Sequence, residues 1–445
     1  MRSFERTGMG RSMTAPVAEA LPSQAGRHGQ QNWAVAWRRD GLEHRVGGET
    51  RRMAWAVGSG HEGKSYLWRA GDALFQSPLA WYSKRGSWDL SPGYAAGAEI
   101  DFLRPVTADC LFCHAGSSRP VPGSLHRYAA IPQPGIHCER CHGDGAPHAA
   151  DPKRGNIVNP VRLAPAARDS VCEQCHLSGA ARVPLPGKTF ADFRPGMVLE
   201  EVFSVYLPVT AKAFKVVSHA EQLAESECAK ASGTRMWCGS CHDPHGEPAE
   251  AESWYRERCQ SCHANARPHG ERCAECHMPR TAASDGGHTA FTDHRIRKPG
   301  PAAVPVAVTG LRAWREPEAQ WRARGLGLAY AGAGDLQRAF PLLRETRGDG
   351  EAQSALGLVY LRAGRTEEAV AVLEQAVRAE PRHSSRRLNL AAALLAAGRR
   401  ERAKAEAEQA IALEPLLRDA YVLLAEIEPR RAAYWRARFE TELRK

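Results

Sequence analysis

Hydrophobic and polar residues are distributed differently in successive parts of this 445-residue chain, and the changes predict its organisation. Residues 1–49 are mainly polar, and the first 30 show little periodicity, which predicts a segment that wraps the surface without regular structure. Residues 50–105 are rich in aromatic and β-branched residues and punctuated by glycine, which predicts a few short strands with tight turns. We therefore expect a polar N-terminal segment followed by a small β-rich cap.

A repeated pattern of small residues fills residues 311–445. Each member of one set recurs 34 residues later, the period of the tetratricopeptide repeat. Small residues let paired helices pack closely, and a proline ends the second helix of each pair. Residues 325–340 resemble the repeat at a shorter spacing and predict a shortened first repeat, while residues 416–445 predict a capping helix or partial repeat. The recurring pairs are Gly364 and Gly398, Ala369 and Ala403, Ala376 and Ala410, and Pro381 and Pro415.

Between these parts, residues 106–297 contain six copies of Cys-x-x-Cys-His, the attachment signature of c-type haem. In this chemistry two thiols add to the haem vinyl groups, and the following histidine binds the iron as its proximal ligand. We therefore expect six covalently bound haems. The expected attachment residues are Cys110, Cys113, Cys138, Cys141, Cys172, Cys175, Cys238, Cys241, Cys259, Cys262, Cys273 and Cys276. The expected proximal ligands are His114, His142, His176, His242, His263 and His277.

The spacing of the six motifs limits what can lie between them. They follow one another at intervals of 28, 34, 66, 21 and 14 residues, which leave room only for short helices and loops. Haem faces would then replace much of the usual apolar core. The sequence thus predicts a mainly α protein: an irregular, haem-packed cytochrome domain, a small β-rich N-terminal part and a C-terminal α-solenoid.

Two other uses of paired cysteines are structural zinc sites and disulfides. Zinc needs only the paired thiolates and places no demand on the next residue, and a disulfide framework would not require histidine there either. All six pairs carry the histidine, although the whole chain has only 18 histidines among 445 residues. Haem therefore accounts for the pattern better than zinc or disulfides.

The formal net charge of +10 would ordinarily suggest an anionic partner such as nucleic acid. Each haem carries two propionates, however, so six haems would add about −6 when oxidised and about −12 when reduced. No basic run of the nucleic-acid-binding type is present. We therefore expect no nucleic-acid partner. Separately, residues 298–310 are rich in proline and alanine, which predicts an extended linker before the repeats.

No stretch approaches the ~20 apolar residues that span a bilayer, so the sequence predicts no transmembrane segment. The N-terminus also lacks the apolar core of a signal peptide. Because cytochrome c maturation normally takes place on the far side of the cytoplasmic membrane, we expect a periplasmic or otherwise exported protein. An export signal would then lie upstream of Met1, and the polar N-terminal segment would be truncated.

The sixth coordination position of each iron decides between electron transfer and catalysis, since a second histidine closes it and an open position can bind substrate. Eleven histidines up to residue 297 lie outside the motifs, enough to close all six irons. Position relative to the motifs favours some of them as distal ligands. These candidates are His61, His148, His219, His245, His288 and His294. The thirteenth cysteine, Cys228, is expected to be a free thiol.

The segments CERCHGDGAPH, CEQCH, CGSCHDPH and CAECHMP, followed by 34-residue repeats, resemble bacterial multihaem cytochromes c with doubled C-x-x-C-H motifs (the cytochrome c-552/c-554 type) and C-terminal tetratricopeptide repeats. The resemblance covers residues 50–430. Members of that family often carry a further haem motif shortly before a segment like RTGMGRSM, which is residues 6–13 here. The resemblance thus implies a first haem missing from this chain, whose distal histidine would be unmatched.

The sequence therefore favours an exported multihaem electron-transfer protein whose repeat domain docks redox partners. Two alternatives stay open. One is a multihaem oxidoreductase acting on a small nitrogen or sulfur compound at one five-coordinate haem, although no motif has the C-x-x-C-K form of some nitrite-reducing enzymes. The other is a scaffold in which the haems serve sensing.

Overall fold

The structure is a computed structural model that describes residues 3–17, 21–94, 97–153, 155–209, 214–264, 272–298, 300, 307–346 and 348–444. Its N-terminal part is built of antiparallel strands, which confirms the expected β-rich region. The strands are β1 (Met13–Thr14), β2 (Gln24–His28), β3 (Gln31–Arg38), β4 (Gly41–Val46), β5 (Glu49–Arg52), β6 (Trp55–Val57), β7 (Gly63–Ala70), β8 (Ala73–Tyr82), β9 (Ser87–Leu90) and β10 (Arg104–Pro105).

Strands β2 to β5 form a four-stranded sheet in sequence order, in a part of the chain where we had expected only a polar segment, with little periodicity over the first 30 residues. Val35, Leu42, His44 and Val46 are buried, and the residues next to them in each strand are more exposed. Buried residues recur at every second position of β4, as one buried face of a sheet requires. The sheet was not predicted because the intervening arginines and glutamines, and a histidine on the buried face, hid this alternation.

The second sheet has the order β1-β6-β7-β8-β10, and β9 pairs with the C-terminal half of β8, residues 79–82. Strand β8 lies at its centre and is buried along almost its whole length. Trp68 stacks on Phe75 with ring centroids 5.0 Å apart and donates its indole N–H to the carbonyl of Phe102. Met13 pairs with Val57, so the sheet fixes the chain that leads into it.

The region of the haem motifs consists of short helices, which the motif spacing predicts, and of two- or three-stranded sheets, which it does not. A small aromatic cluster around Phe112, Phe190 and Phe203 supports it. Its elements are α1 (Ala108–His114), β11 (Ala115–Pro120), β12 (Tyr128–Pro134), α2 (Glu139–His142), α3 (Ala146–Ala150), α4 (Pro165–His176), β13 (Ala181–Pro184), β14 (Phe203–Val209), α5 (His219–Glu225), α6 (Glu227–Ser232), α7 (Ala251–Gln260), α8 (Cys273–His277), β15 (Arg280–Ala282) and β16 (Ala290–Thr292).

Most of the expected linker, residues 298–310, lies outside the described residues, which here comprise only 298, 300 and 307–310. Directly after it, β17 (Gly310–Ala313) pairs with β14 and completes a three-stranded sheet with β13. The repeat region therefore begins with a strand that belongs to the sheet of the haem-motif region.

The remaining chain forms antiparallel helix pairs, which confirms the predicted repeats. Gly364 and Gly398 end the first helix of two successive repeats with φ of 72° and 74°, a conformation that glycine adopts without strain. Gly357 lies against Leu373, where a Cβ atom would come 2.4 Å from Cγ, so the helices touch at this point. The helices are α9 (Ala319–Gly332), α10 (Leu336–Glu345), α11 (Gly350–Arg362), α12 (Thr366–Ala379), α13 (Ser384–Ala396), α14 (Arg400–Leu413), α15 (Arg418–Ile427) and α16 (Ala432–Leu443).

One edge of the solenoid contacts the loop between β11 and β12. The amide of Ser384 donates to the carbonyl of Gly123, and Arg127 donates to the carbonyl of Leu413. Gly123 has a φ of +74°, and a side chain there would meet the backbone of Arg382. The repeats are therefore attached directly to the rest of the molecule. Within the described residues, no helix is long and apolar enough to cross a membrane.

Candidate haem-binding region

Five of the six Cys-x-x-Cys-His segments lie in or at the end of an α-helix, and the fourth forms a single 3-10 turn over Cys238–Ser240. A helical turn places residues three and four apart on the same face. The two thiols and the imidazole of each motif can therefore face one ligand. The thirteen cysteines, Cys228 among them, all lie in the described residues and are placed as thiols rather than in disulfides.

Backbone carbonyls orient two of the motif imidazoles. His142 Nδ1 lies 2.8 Å from the carbonyl oxygen of Val158, and His277 Nδ1 lies 2.8 Å from that of Arg297. An Nδ1–H that donates to a carbonyl leaves the lone pair of Nε2 free for a metal. Tyr255 Oη lies 3.2 Å from His242 Nδ1 and orients a third ring.

Three motif imidazoles each have a second imidazole close by. The ring centroids of His142 and His245 are 5.8 Å apart, and those of His242 and His294 are 6.1 Å apart. Two imidazoles on opposite sides of one metal, with metal–nitrogen bonds of about 2.0–2.1 Å, have centroids about 6 Å apart. Both separations fit a shared iron.

His219 is the second imidazole beside the third motif. Its ring centroid lies 5.3 Å from that of His176 and 4.9 Å from that of His294, so four histidines form a connected row from the third motif to the fourth. Desolvation by the surrounding protein, with a smaller contribution from neighbouring imidazoles, lowers the pKa of His219 to about 3 and that of His176 to about 4. Both rings are neutral at neutral pH, which is the form that binds iron.

Helix α4 carries the third motif and contacts both the first and the fourth motif. The thiol of Cys175 hydrogen-bonds to that of Cys113, which together with burial raises the pKa of Cys175. The thiol of Cys172 likewise hydrogen-bonds to that of Cys238, and burial adds to the resulting rise in its pKa. The first, third and fourth motifs thus touch through their attachment residues.

The other predicted distal ligands have different surroundings. His148 Nδ1 lies 2.9 Å from Asn156 Oδ1, which leaves its Nε2 free. His61 Nε2 lies 3.6 Å from a carboxylate oxygen of Glu247, and so links the β-rich part to the chain just after the fourth motif. His288 Nε2 lies 2.9 Å from Asp89 on β9. Their ligand roles stay predictions.

Several polar residues that contact the motifs were not identified from the sequence. Arg140 and Arg182 lie beside the thiols of the first and third motifs. Glu173, inside the third motif, is bound by Trp314 and Arg315 from the chain that leads into the repeats. Arg140 and Glu173 occupy the variable positions of their motifs, which carry no signal of their own.

The donor set fits covalent haem better than a bare metal ion. Thiols occur in pairs next to imidazoles whose Nδ1 faces a backbone carbonyl in the second and sixth motifs, the arrangement that covalent haem attachment uses. A structural zinc site would instead bring four cysteine or histidine ligands together. No group of three or more His, Cys, Asp and Glu residues is placed to hold a metal ion in the part of the chain that the structure describes.

Known proteins match both the repeat region and the haem-motif region, and the match to the repeats is the clearer one. A tetratricopeptide-repeat model matches residues 330–394 and 360–427. The C-terminal part is a tetratricopeptide-repeat solenoid. The chain is also 27% identical over 182 residues to the multiheme cytochrome MtrA of Shewanella baltica; the match covers 37% of this chain and 54% of that protein. The chain thus spans about half the length of this curated relative.

Among solved structures, MamA from Desulfovibrio magneticus is 22% identical and has a TM-score of 0.26, over 28% of this chain and 73% of MamA. The first tetratricopeptide-repeat domain of human RPAP3 is 20% identical with a TM-score of 0.24, over 26% of this chain and 96% of that domain.

Proposed function

We propose that the protein is an exported multihaem c-type cytochrome that transfers electrons through six covalently bound haems. The observation that carries the proposal is the combination of six Cys-x-x-Cys-His motifs with second imidazoles at the separation expected across a shared iron. The similarity to a multihaem cytochrome supports it. Export follows as part of the proposal because c-type haem is normally attached outside the cytoplasm.

In this proposal the twelve motif cysteines hold the haems, and the motif histidines bind the irons from one side. The bound haems supply one-electron redox chemistry. The second histidines His245 and His294, which lie beside His142 and His242, would supply a further ligand to the haems of the second and fourth motifs. His219 lies beside His176 of the third motif at a shorter separation, 5.3 Å, and would be its nearest second histidine. Closed coordination excludes exchangeable ligands and suits electron transfer.

The tetratricopeptide repeats are proposed to dock a redox partner. Solenoids of this kind present extended surfaces to other proteins. Here the repeats are attached by side-chain and backbone hydrogen bonds to the loop between β11 and β12, which follows the first motif by seven residues or more. A partner bound to the repeats would therefore be held at a set position relative to the motifs.

The test is a haem count and a spectrum of the haem-loaded protein. A pyridine haemochrome assay should give six haems per chain, and paramagnetic resonance should show low-spin iron that carbon monoxide does not alter after reduction. The double variant Cys172→Ala, Cys175→Ala should contain one haem fewer. Cys228→Ala is the matched control because this thiol lies outside every motif, and it should keep six. Six haems in the double variant would contradict the proposal.

One observation favours an oxidoreductase as the second candidate. In the part of the chain that the structure describes, no other imidazole ring lies against that of His114, unlike those of His142, His176 and His242. The haem of the first motif is thus one candidate for an open coordination position, together with that of the fifth motif, whose His263 also has no imidazole ring against it among the described residues. Binding of carbon monoxide to one ferrous haem, lost when His114 is replaced, would support an enzyme; its absence in the intact protein would exclude this site.

A further inference from the structure

Two arginines share one aromatic pocket at the contact between the first and third motifs. Arg140 lies between the two cysteines of the second motif, and Arg182 lies on β13. Their guanidinium carbons are 4.0 Å and 5.2 Å from the ring centroid of Phe112, which follows the first attachment cysteine of motif one by two residues. Two permanent positive charges are therefore held close together.

The same arginines reach the attachment residues. Arg182 Nη1 lies 3.3 Å from Cys113 Sγ, and its Nη2 donates to the carbonyl of Gln174 at 3.0 Å. Arg140 donates to the carbonyl of Phe112. Because Cys113 and Cys175 touch each other, both positive charges lie at the edge where haems of the first and third motifs would be attached.

Carboxylates do little to balance these charges. Neither arginine forms an ion pair with a carboxylate among the residues that the structure describes, and the Nε of each is buried without a hydrogen-bond partner. Asp109 is the carboxylate that interacts with Arg182: burial raises the pKa of Asp109, and the positive charge of Arg182 opposes that rise, so one carboxylate faces the two guanidinium groups. Arg194 adds a further positive charge near Arg140. The net charge around Arg140 and Arg182 is therefore positive.

We propose that Arg140 and Arg182 raise the reduction potentials of the haems on the first and third motifs, so that electrons collect on this pair. The inference rests on the proposed function. Reduction adds one negative charge to a haem, and a positive charge nearby in a partly desolvated setting stabilises the reduced form. Arginine keeps its charge at all accessible pH values, so the effect does not depend on protonation.

The test is a spectroelectrochemical titration of the haem-loaded protein and of Arg140→Gln, Arg182→Gln and the double variant. Each single variant should lower the potentials of one or two of the six haems. The expected effect approaches a tenfold fall in the ferrous-to-ferric ratio at fixed potential, about 59 mV for a one-electron couple. The double variant should shift the same haems further. Arg140→Lys and Arg182→Lys keep the charge and should stay near the wild-type values.

Arg258→Gln is the matched control. This arginine also stacks on an aromatic ring, 4.1 Å from the centroid of Trp254, and directly precedes a motif cysteine, but it is exposed. Solvent screens its charge, so its loss should move the potentials much less. Equal shifts in the control and the two pocket variants, or no shift in the pocket variants, would overturn the inference. A haem count other than six in the wild-type protein would instead contradict the proposed function.

Discussion

Glu414 of the repeat domain and His126 of the haem-motif region form a buried contact: Glu414 Oε1 lies 2.9 Å from His126 Nδ1, and the side chains are 0% and 2% exposed. The carboxylate also accepts hydrogen bonds from the amide of Leu125 at 3.0 Å and from the hydroxyl of Ser384. One side chain thus joins the loop between β11 and β12 to two turns of the solenoid. This contact fixes the position of the repeats relative to the haem-motif region.

Replacing Glu414 by Gln should destabilise the protein and loosen the repeats. The amide keeps one acceptor oxygen but loses the charge, and hydrogen bonds to charged groups are worth about 1.5–3 kcal/mol. We expect a loss of that size in the free energy of unfolding and faster proteolysis between the two regions. Glu408→Gln, an exposed position on helix α14, which Glu414 directly follows, should have little effect. Equal free energies of unfolding for the two variants would show that the buried contact does not stabilise the protein.

The contribution of Glu414 should depend on pH. Burial alone would raise its pKa, but hydrogen bonds from His126 and Ser384 outweigh burial and leave the pKa below its usual value. A carboxylate with a lowered pKa stabilises the fold above the ordinary pKa of about 4.3, and this stability is lost as pH falls through the lower folded value. In denaturant unfolding at several pH values, wild type and Glu414→Gln should differ at pH 7 and converge in acid. A constant difference would contradict this account.

A second junction, at Glu173, should respond to pH in a higher range. Burial raises the pKa of Glu173 to about 7 although Arg315 opposes the shift. Because Arg315 also pairs with Glu200 at 3.2 Å, Arg315→Gln should cost some stability at either pH, and about 1.5–3 kcal/mol more near pH 8, where Glu173 is ionised, than near pH 5, where it is protonated. Unfolding at the two pH values checks this. Arg312→Gln, exposed on strand β17 just before Arg315, should cost little at either pH, and a cost of Arg315→Gln independent of pH would contradict it.

The sequence predicted those features that repeat or lie close together in the chain. The 34-residue period revealed the helix pairs because Gly364 and Gly398 mark the same turn in successive repeats. The short intervals between the Cys-x-x-Cys-His motifs predicted short helices, which this region contains. The four-stranded sheet over residues 24–52 was missed because its exposed face is unusually rich in arginine and glutamine.

Relationships between distant segments could not be predicted. His245 lies 103 residues after His142, and His294 lies 52 residues after His242, so nothing in the sequence spacing pairs them. The contact of Arg182 with Cys113 likewise depends on the register of β13 against β14. Such contacts arise only when the loops between motifs fold over one another.

The structure separates two histidines that the sequence treated alike, His288 and His294. The ring of His294 lies 4.9 Å from that of His219 and 6.1 Å from that of His242, and its Nδ1 lies 2.9 Å from the carbonyl oxygen of Thr292, which leaves Nε2 for iron. His288 instead pairs with Asp89 at the surface and contacts the edge of Tyr82. Of the two, His294 is the one that lies beside a motif imidazole in the described residues, and the ligand roles of both stay predictions.

Accordingly, His294→Ala should convert one low-spin haem to a high-spin haem that binds carbon monoxide when reduced, because its iron loses the sixth ligand. His288→Gln is the control and should keep the wild-type spectrum, with at most about 1 kcal/mol lost from an exposed pair. Paramagnetic resonance and carbon monoxide difference spectra of both variants, at equal haem content, decide the matter. A new high-spin signal in His288→Gln, or its absence in His294→Ala, would show that the distal ligands are not those that the imidazole separations indicate.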